Sequence, residues 1–251
     1  MANWFISTDL DGTMLNHVTH DYVAVLPMLN RLQLLGVTVV LNSTKTAAEL
    51  TNWQDRLNLN APLIAENGGV ICFDGQTRLL GRARSEICDL LQAWRVQYGW
   101  QFAGYNDWSL AELMRQTGFT SDHAELAAQR LVTEPILWQD SAENFIHFER
   151  QLAQVGLSWQ KAGRFYHIMA AHNKASAVAW LLVNRFQGYK VLALGDGSAD
   201  HLMLEQADLA VVLSNEQAEY LPIKHAHFFN PPLPAPQGWV QGLEWALPQM
   251  R

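Results

Sequence analysis

The sequence has 251 residues, of which 49% are apolar and 16% charged, so it can bury a substantial core and does not resemble a disordered chain. Its net charge of −7 leaves no basic stripe to meet a phosphate backbone, which argues against a nucleic-acid partner. Cys72 and Cys88 are too few for a disulfide framework or a metal-ligand set, and they read as small core residues in a reducing cytosol. No leader-like segment is visible and no run reaches the roughly 18–20 apolar residues of a membrane span. A soluble, cytoplasmic protein is therefore expected.

The first strand is expected over residues 5–8, and it delivers Asp9 and Asp11 to a sheet edge. Residues i and i+2 of an extended chain share a face, so both acids can enter one pocket. Two close carboxylates repel, and a divalent cation is the simplest device that stabilises them. Gly12 lets the backbone turn sharply after them. The spacing of Leu26, Leu29 and Leu32 predicts a helix over 23–35, with Pro27 tolerable only in its first turn and Gly36 as stop. Residues 37–41 form a β-branched, wholly apolar strand of the kind covered on both faces. Ser43-Thr44-Lys45-Thr46 follows it, then a helix carrying Ala47, Leu50 and Leu57. Leu63-Ile64-Ala65 is a third strand ending in Glu66-Asn67-Gly68-Gly69, and 70–73 turns back as a hairpin. This order is a doubly wound α/β beginning.

The alternation is then interrupted. Helices are expected over 85–98, capped by Ser85 and stopped by Gly99, over 109–116, over 122–129 and over 141–155, with extended pieces at 100–102, 136–138 and 164–169. This pattern suits an inserted α+β unit with an antiparallel sheet at 81–170, leaving 1–80 with 171–251 as a mostly parallel, Rossmann-like core. The core pattern resumes with a helix over 174–186, strands at 189–194, 209–213 and 226–229, and helices at 202–206 and 237–247. Ten tryptophans are present; those at 94, 100, 108, 138 and 159 fall in the insert, where most are core and one can stack on a sugar.

Four polar sites follow four apolar strands: Asp9/Asp11, Ser43, the Glu66-Asn67-Gly68-Gly69 turn and Asp196/Asp200. In an open α/β sheet these strand ends share one edge, and ligands bind in the crevice there. Lys174 opens a helix that reaches the same edge. Each residue has a plain structural role available, as turn, cap or solvated charge. Taken together they read as a site for an anionic substrate.

Asp9-Leu10-Asp11-Gly12-Thr13, Ser43, Lys174 and Gly195-Asp196-x-x-x-Asp200, in that order, resemble the four motifs of the haloacid dehalogenase superfamily of phosphatases. The insert lies where a type C2B cap lies in one branch of that superfamily. A narrower resemblance, to the mannosyl-3-phosphoglycerate phosphatase family, rests on Ser43-Thr44-Lys45-Thr46, Glu66-Asn67-Gly68-Gly69, residues 130–135 and residues 163–167. The family's usual Asn before the last acid is Ala199 here, and Gly197 stands where Ser is common.

The resemblance implies Mg²⁺ held by Asp9, the Asp11 carbonyl and Asp196, supported by Asp200. Asp9 is then the nucleophile, Asp11 the acid and base, and Ser43 and Lys174 bind the phosphoryl oxygens. Lys45, Glu66, Asn67, Gly68, Arg130, Thr133, Glu134, Arg164 and His167 are the expected substrate contacts. The implied activity is hydrolysis of a glycosyl-3-phosphoglycerate in compatible-solute synthesis, by a monomer or homodimer whose partner is that small molecule. A related glycosyl phosphate such as glucosylglycerol phosphate, a phosphosugar mutase and a non-catalytic phosphosugar-binding module stay open as alternatives.

Overall fold

A computed structural model describes residues 3–250. The chain begins with β1 (Trp4–Thr8), α1 (Leu26–Leu34), β2 (Thr38–Asn42), α2 (Ala47–Leu57), β3 (Leu63–Ala65), β4 (Val70–Phe73) and β5 (Gln76–Leu79). There follow α3 (Arg84–Tyr98), β6 (Phe102–Gly104), α4 (Leu110–Thr117), α5 (Ser121–Ala128), β7 (Thr133–Trp138), α6 (Ala142–Gln154), β8 (Leu157–Ala162) and β9 (Phe165–Ala170). The last elements are α7 (Lys174–Asn184), β10 (Lys190–Gly195), α8 (His201–Gln206), β11 (Leu209–Val212), β12 (Phe228–Phe229) and α9 (Gln237–Ala246).

Eight strands make one sheet in the order β12-β11-β10-β1-β2-β3-β4-β5. It is parallel from β12 to β3 and antiparallel at the β4 and β5 edge. This is the α/β, mostly parallel core expected from the sequence. Apolar residues of β1 and β2 alternate between two cores, as a sheet covered on both faces requires. Ile6, Val39 and Leu41 pack with α1, α2 and α9, whereas Phe5 and Val40 pack with α7 and α8. Register then sets up the site. Thr8 lies opposite Leu41 and Leu194, and Asn42 opposite Ile64, so β1, β2, β3 and β10 end at one edge.

The inserted elements make a second, antiparallel sheet in the order β6-β7-β9-β8. Its core is aromatic, with Trp94, Trp100, Phe102 and Phe148 buried and Trp138 and Trp159 packed against them. Edge-to-face pairs such as Trp94 with Phe148, 5.9 Å between centroids, give this core directional packing as well as area. Trp108 belongs to a smaller cluster with Tyr105 and Phe165.

Several local expectations differ. β5 was not anticipated, because its residues are all exposed and show no alternation. β8 was also missed: its stretch after Leu157 is largely polar, and pairing with β9 decides its conformation. Ser85 does not cap α3. That helix starts at Arg84, whose N–H donates to the Leu131 carbonyl at 2.7 Å, a partner from the distant chain that replaces a side-chain cap. The expected helix over 23–35 starts as a 3-10 turn at Val23–Val25, which leaves Pro27 in the first turn of α1.

Candidate active site

The nucleus of the site is the turn after β1. The strand ends at Thr8, so the loop, rather than the pleat of the strand, aims Asp9 and Asp11 into the same pocket. The Asp9 N–H donates to the Leu194 carbonyl at 2.9 Å, which ties the turn to β10. The Thr8 hydroxyl donates to the Asp9 carbonyl at 2.8 Å and accepts from the Trp239 indole at 3.0 Å. Gly12 has φ +78°, and a Cβ there would stand 2.6 Å from Asp196 Oδ2. Glycine is thus needed both for the turn and for the approach of Asp196. Thr13, which sequence reasoning left without a site role, donates its hydroxyl to Asp196 Oδ1 at 2.7 Å.

Lys174 opens α7 and is buried to 1% exposure, its ammonium 2.6 Å from both Asp9 Oδ1 and Asp200 Oδ1. The other Asp200 oxygen accepts from the backbone N–H groups of Asp196 and Gly197 at 3.2 and 3.0 Å. Carboxylate oxygens of Asp9, Asp196 and Asp200 lie within 4.8 Å of one another. Three acids therefore face one ammonium. Burial, Asp200 and Asp196 outweigh the opposing pull of Lys174 and raise the Asp9 carboxyl well above its ordinary range. Burial and Asp200 push Asp196 up to about 6. Lys174 is held charged because Asp200 and Asp9 outweigh its own desolvation. Closely set hard oxygens short of positive charge fit a small divalent cation, and Asp9, Asp196 and Asp200 are the groups that can hold one.

Asp11 has a different environment. Lys45 Nζ lies 2.9 Å from Asp11 Oδ2, and His20 Nδ1 is 3.6 Å from Asp11 Oδ1. Burial alone would raise this carboxyl, but Lys45 and His20 outweigh it and hold it at about 2. Neighbouring acids thus sit in opposite electrostatic surroundings, the arrangement that separates proton affinities.

The pocket has a volume of about 360 Å³ and lies between the edge of the large sheet and the β8–β9 hairpin of the insert. Of the expected residues it gathers Asp9, Asp11, Lys45, Glu66, Asn67, Thr133, His167, Lys174, Asp196 and Asp200. Glu66 is buried, with positive φ, and its carboxylate accepts from Leu131 N–H at 2.7 Å, Val132 N–H at 3.0 Å and the Thr133 hydroxyl at 2.7 Å. It therefore clasps β7 of the insert to the end of β3. Asn67 donates its amide to Gln160 Oε1 at 2.5 Å. His167 loses proton affinity to burial and to the nearby Arg130 charge, down to about 3, so its ring is neutral.

Five expected residues do not line this pocket. Ser43 is buried, and its hydroxyl accepts from the Lys45 N–H at 3.3 Å. Gly68 is a packing position, since a Cβ there would stand 2.0 Å from the Asn173 carbonyl. Arg130 donates to the Thr133 hydroxyl at 2.8 Å and to the Thr44 carbonyl at 3.3 Å, joining the insert to the loop after β2. Glu134 pairs with Arg84 at 2.6 Å and accepts from the Asn106 N–H at 2.8 Å, inside the insert. Arg164 is exposed and donates to the Gln116 side-chain oxygen at 2.8 Å. Conversely His17, His20, Gln160 and Lys161 line the pocket although sequence reasoning passed over them, and Gly163, first residue of the 163–167 stretch but not an expected contact, lines it too. The two histidines sit in an irregular loop with no motif spacing. The other three belong to the hairpin whose first strand was not recognised.

The family profile of haloacid dehalogenase-like hydrolases matches residues 6–228. The fold is similar to that of a haloacid dehalogenase-like hydrolase from Bacteroides thetaiotaomicron, at TM-score 0.70 and 19% identity, over 99% of this chain and 100% of that one. A second Bacteroides thetaiotaomicron protein, described among phosphatases of the haloalkanoate superfamily, superposes at TM-score 0.70 and 17% identity over 99% and 95%. A protein described as a subclass IIB sugar phosphatase superposes at TM-score 0.67 and 15% identity over 98% of both chains. Among the described residues no helix is long and apolar enough to cross a membrane. With the profile spanning β1 through β12 and the acid-lysine cluster at the sheet edge, the chain belongs to the haloacid dehalogenase-like hydrolases.

Proposed function

We propose that this hydrolase is a Mg²⁺-dependent phosphomonoesterase in which Asp9 is the nucleophile, residues 1–80 with 171–251 form the catalytic core and residues 81–170 form a substrate-reading cap. The observation that carries the reading is the buried Lys174 ammonium placed 2.6 Å from both Asp9 and Asp200, with Asp196 completing the acidic cluster. A phosphate dianion resists an anionic nucleophile, and concentrated positive charge at the attack site offsets that repulsion. Asp9, the Asp11 carbonyl and Asp196 would hold the cation, with Asp200 supporting them. When bound, Mg²⁺ supplies charge that offsets the negative charge of the transferring phosphoryl group.

The chain's own residues do the rest. Asp9 attacks phosphorus in line and forms an aspartyl phosphate, while the ester oxygen leaves with a proton from Asp11. Asp11 then takes a proton from the water that cleaves the acyl phosphate. Its pairing with Lys45 suits the base role, because that pairing keeps the carboxyl ionised. For the acid role Asp11 must take up a proton from solvent as the substrate binds, and an incoming phosphate dianion raises its proton affinity by drawing the Lys45 charge toward itself. Lys174 fixes the orientation of Asp9 throughout.

The substrate class we infer is a glycosyl-3-phosphoglycerate, from the motif resemblance at Ser43 to Thr46 and Glu66 to Gly69. The sugar-phosphatase description of one similar fold is consistent with a sugar phosphate as substrate. Phosphate release should be measured over a panel of sugar phosphates and glycosyl phosphoglycerates, with Mg²⁺ and again with EDTA. Release from at least one ester that EDTA abolishes is expected. No release from any ester, including p-nitrophenyl phosphate, would overturn the phosphatase reading. Release confined to sugar phosphates without a glycerate would overturn the substrate class alone.

A further inference from the structure

The register of the insert's antiparallel sheet decides which of its residues face the catalytic edge. On β8 and β9, Leu157, Trp159, Tyr166 and Ile168 belong to the aromatic core of the insert. Side chains alternate along a strand, so Gln160, His167 and Met169 stand on the other face, and all three line the catalytic pocket. Gln160 and His167 are directly opposed across the hairpin, which places their Cβ atoms about 5 Å apart. The cations of this hairpin are engaged elsewhere. Lys161 borders the pocket, yet its ammonium stands over the Tyr166 ring, 5.5 Å from the centroid, and Arg164 donates to Gln116.

Gln160 is also held from the core. Asn67 donates its amide to Gln160 Oε1 at 2.5 Å and to Met169 Sδ at 3.6 Å, and its own backbone N–H donates to the Ser43 carbonyl at 2.9 Å. Asn67 is therefore fixed to the loop after β2 and sets where the Gln160 amide lies relative to the site. With Oε1 committed, what Gln160 presents is its NH₂ group. Among the described residues neither that nitrogen nor a ring nitrogen of His167 has a hydrogen-bond partner, and none of them is sealed off by protein. The His167 ring is neutral, so it offers one donor and one acceptor. Set side by side, these groups match hydroxyls, which both donate and accept, whereas the hairpin offers a carboxylate no free cation.

We infer that Gln160, positioned by Asn67 and paired with His167, reads hydroxyls of the sugar in the leaving group while phosphorus stands at Asp9, an assignment that rests on the phosphatase reading for the place of phosphorus. In a glycosyl-3-phosphoglycerate the sugar starts two carbons from the ester oxygen. Its ring therefore extends away from phosphorus within the same pocket of about 360 Å³.

The experiment is calorimetric titration of the full chain carrying Asp9→Asn, with Mg²⁺ present, so that bound ester is not consumed. The probes are glucosyl-3-phosphoglycerate, mannosyl-3-phosphoglycerate and 3-phosphoglycerate, which lacks the sugar. Two neutral hydrogen bonds correspond to about a 5- to 150-fold preference for a glycosylated ester. That preference is expected for at least one of the two, and it should fall at least about threefold when Gln160→Met or Gln160→Thr is added. The first keeps the length of the side chain and the second suits a strand. Melting curves report whether each variant keeps its fold. A parent protein that favours neither glycosylated ester by about fivefold overturns the inference. So does a folded variant that keeps the preference to within about threefold, because Gln160 then serves the fold or the phosphate and the sugar is read elsewhere. Phosphate release by the wild type with Mg²⁺ is scored separately: none from any ester would sink the phosphatase reading and leave the binding result standing.

Discussion

Replacing Lys174 with Met tests the charge balance on which the site depends. In the wild type one buried ammonium sits 2.6 Å from the carboxylates of Asp9 and Asp200, and a third acid, Asp196, has an oxygen within 4.8 Å of theirs. Met keeps the stem's volume and removes the charge, which leaves Asp9 and Asp200 buried without a cation. Breaking a buried ion pair from one side costs about 3–5 kcal/mol. For a chain of this size each kcal/mol moves the melting temperature by roughly 2–4 °C. Without metal, Lys174→Met should therefore melt about 6–20 °C below the wild type, and turnover should be lost. Mg²⁺ should return part of the difference, because a cation that binds the folded state alone stabilises it in proportion to the logarithm of its concentration. The assay is thermal and urea denaturation of both proteins across a Mg²⁺ series, with EDTA as zero. The reasoning is refuted if the variant loses less than about 1 kcal/mol in EDTA, or if Mg²⁺ stabilises it no more than it stabilises the wild type.

Asp9→Asn should abolish phosphate release with the fold retained, because an amide cannot form the acyl phosphate; activity within tenfold of wild type removes Asp9 from the nucleophile role. Asp196→Ala should raise the Mg²⁺ concentration needed for half-maximal activity far more than it lowers the melting temperature, and an unchanged Mg²⁺ response would show that Asp196 is not a ligand. Arg164→Ala, which sequence reasoning makes a carboxylate reader, should instead change kcat/KM by less than about threefold on glycosyl phosphoglycerate and p-nitrophenyl phosphate alike, since its partner is Gln116; a loss of 10–200-fold on the first substrate only would restore the sequence-based role. His167 carries the pH prediction: burial and the Arg130 charge hold its ring at about 3, so the unfolded chain takes up the proton first and stability falls as pH drops below the usual histidine range of about 6.5. The fall is at most about 1.4 kcal/mol per pH unit for one proton, and His167→Gln should flatten it between pH 6.5 and 4; parallel stability curves for the two proteins would refute a ring held neutral in the folded state.

The fold was readable because its strands are written as apolar runs that end in polar turns. Val39, Val40 and Leu41 are all buried, so β2 needs no alternation to be recognised. The same logic fails at the edges. β5 is exposed along its whole length, and its strand state comes from pairing with β4, which no local pattern encodes. The starts of α4 and α6 were legible to within a residue, and there Ser109 and Ser141 supply the capping acceptor; the Ser85 cap expected at α3 fails because the Leu131 carbonyl takes the first helical N–H.

At the site the division follows chemistry more than distance along the chain. Handling a phosphoryl group needs carboxylates and an ammonium in fixed geometry, and a sheet edge supplies that geometry from strand ends. Asp9, Lys174, Asp196 and Asp200 were therefore visible as types and spacings, although up to 191 positions separate them. Recognition of a leaving group has no such constraint. Any side chain that projects into the gap between sheet and insert can serve, and many combinations serve equally well. Arg130, Glu134 and Arg164 have the right functional groups, yet the insert uses them to join its own parts. Lys161 and Gln160 reach the pocket from a hairpin whose first strand is half polar, and Trp53 with Arg56 lines a second cavity from α2, where Trp53 also packs against the sheet core. A sequence pattern records which face of a helix is buried in its own core. It is silent about what the flank of that face meets, and on α2 that flank is where the insert closes over the helix.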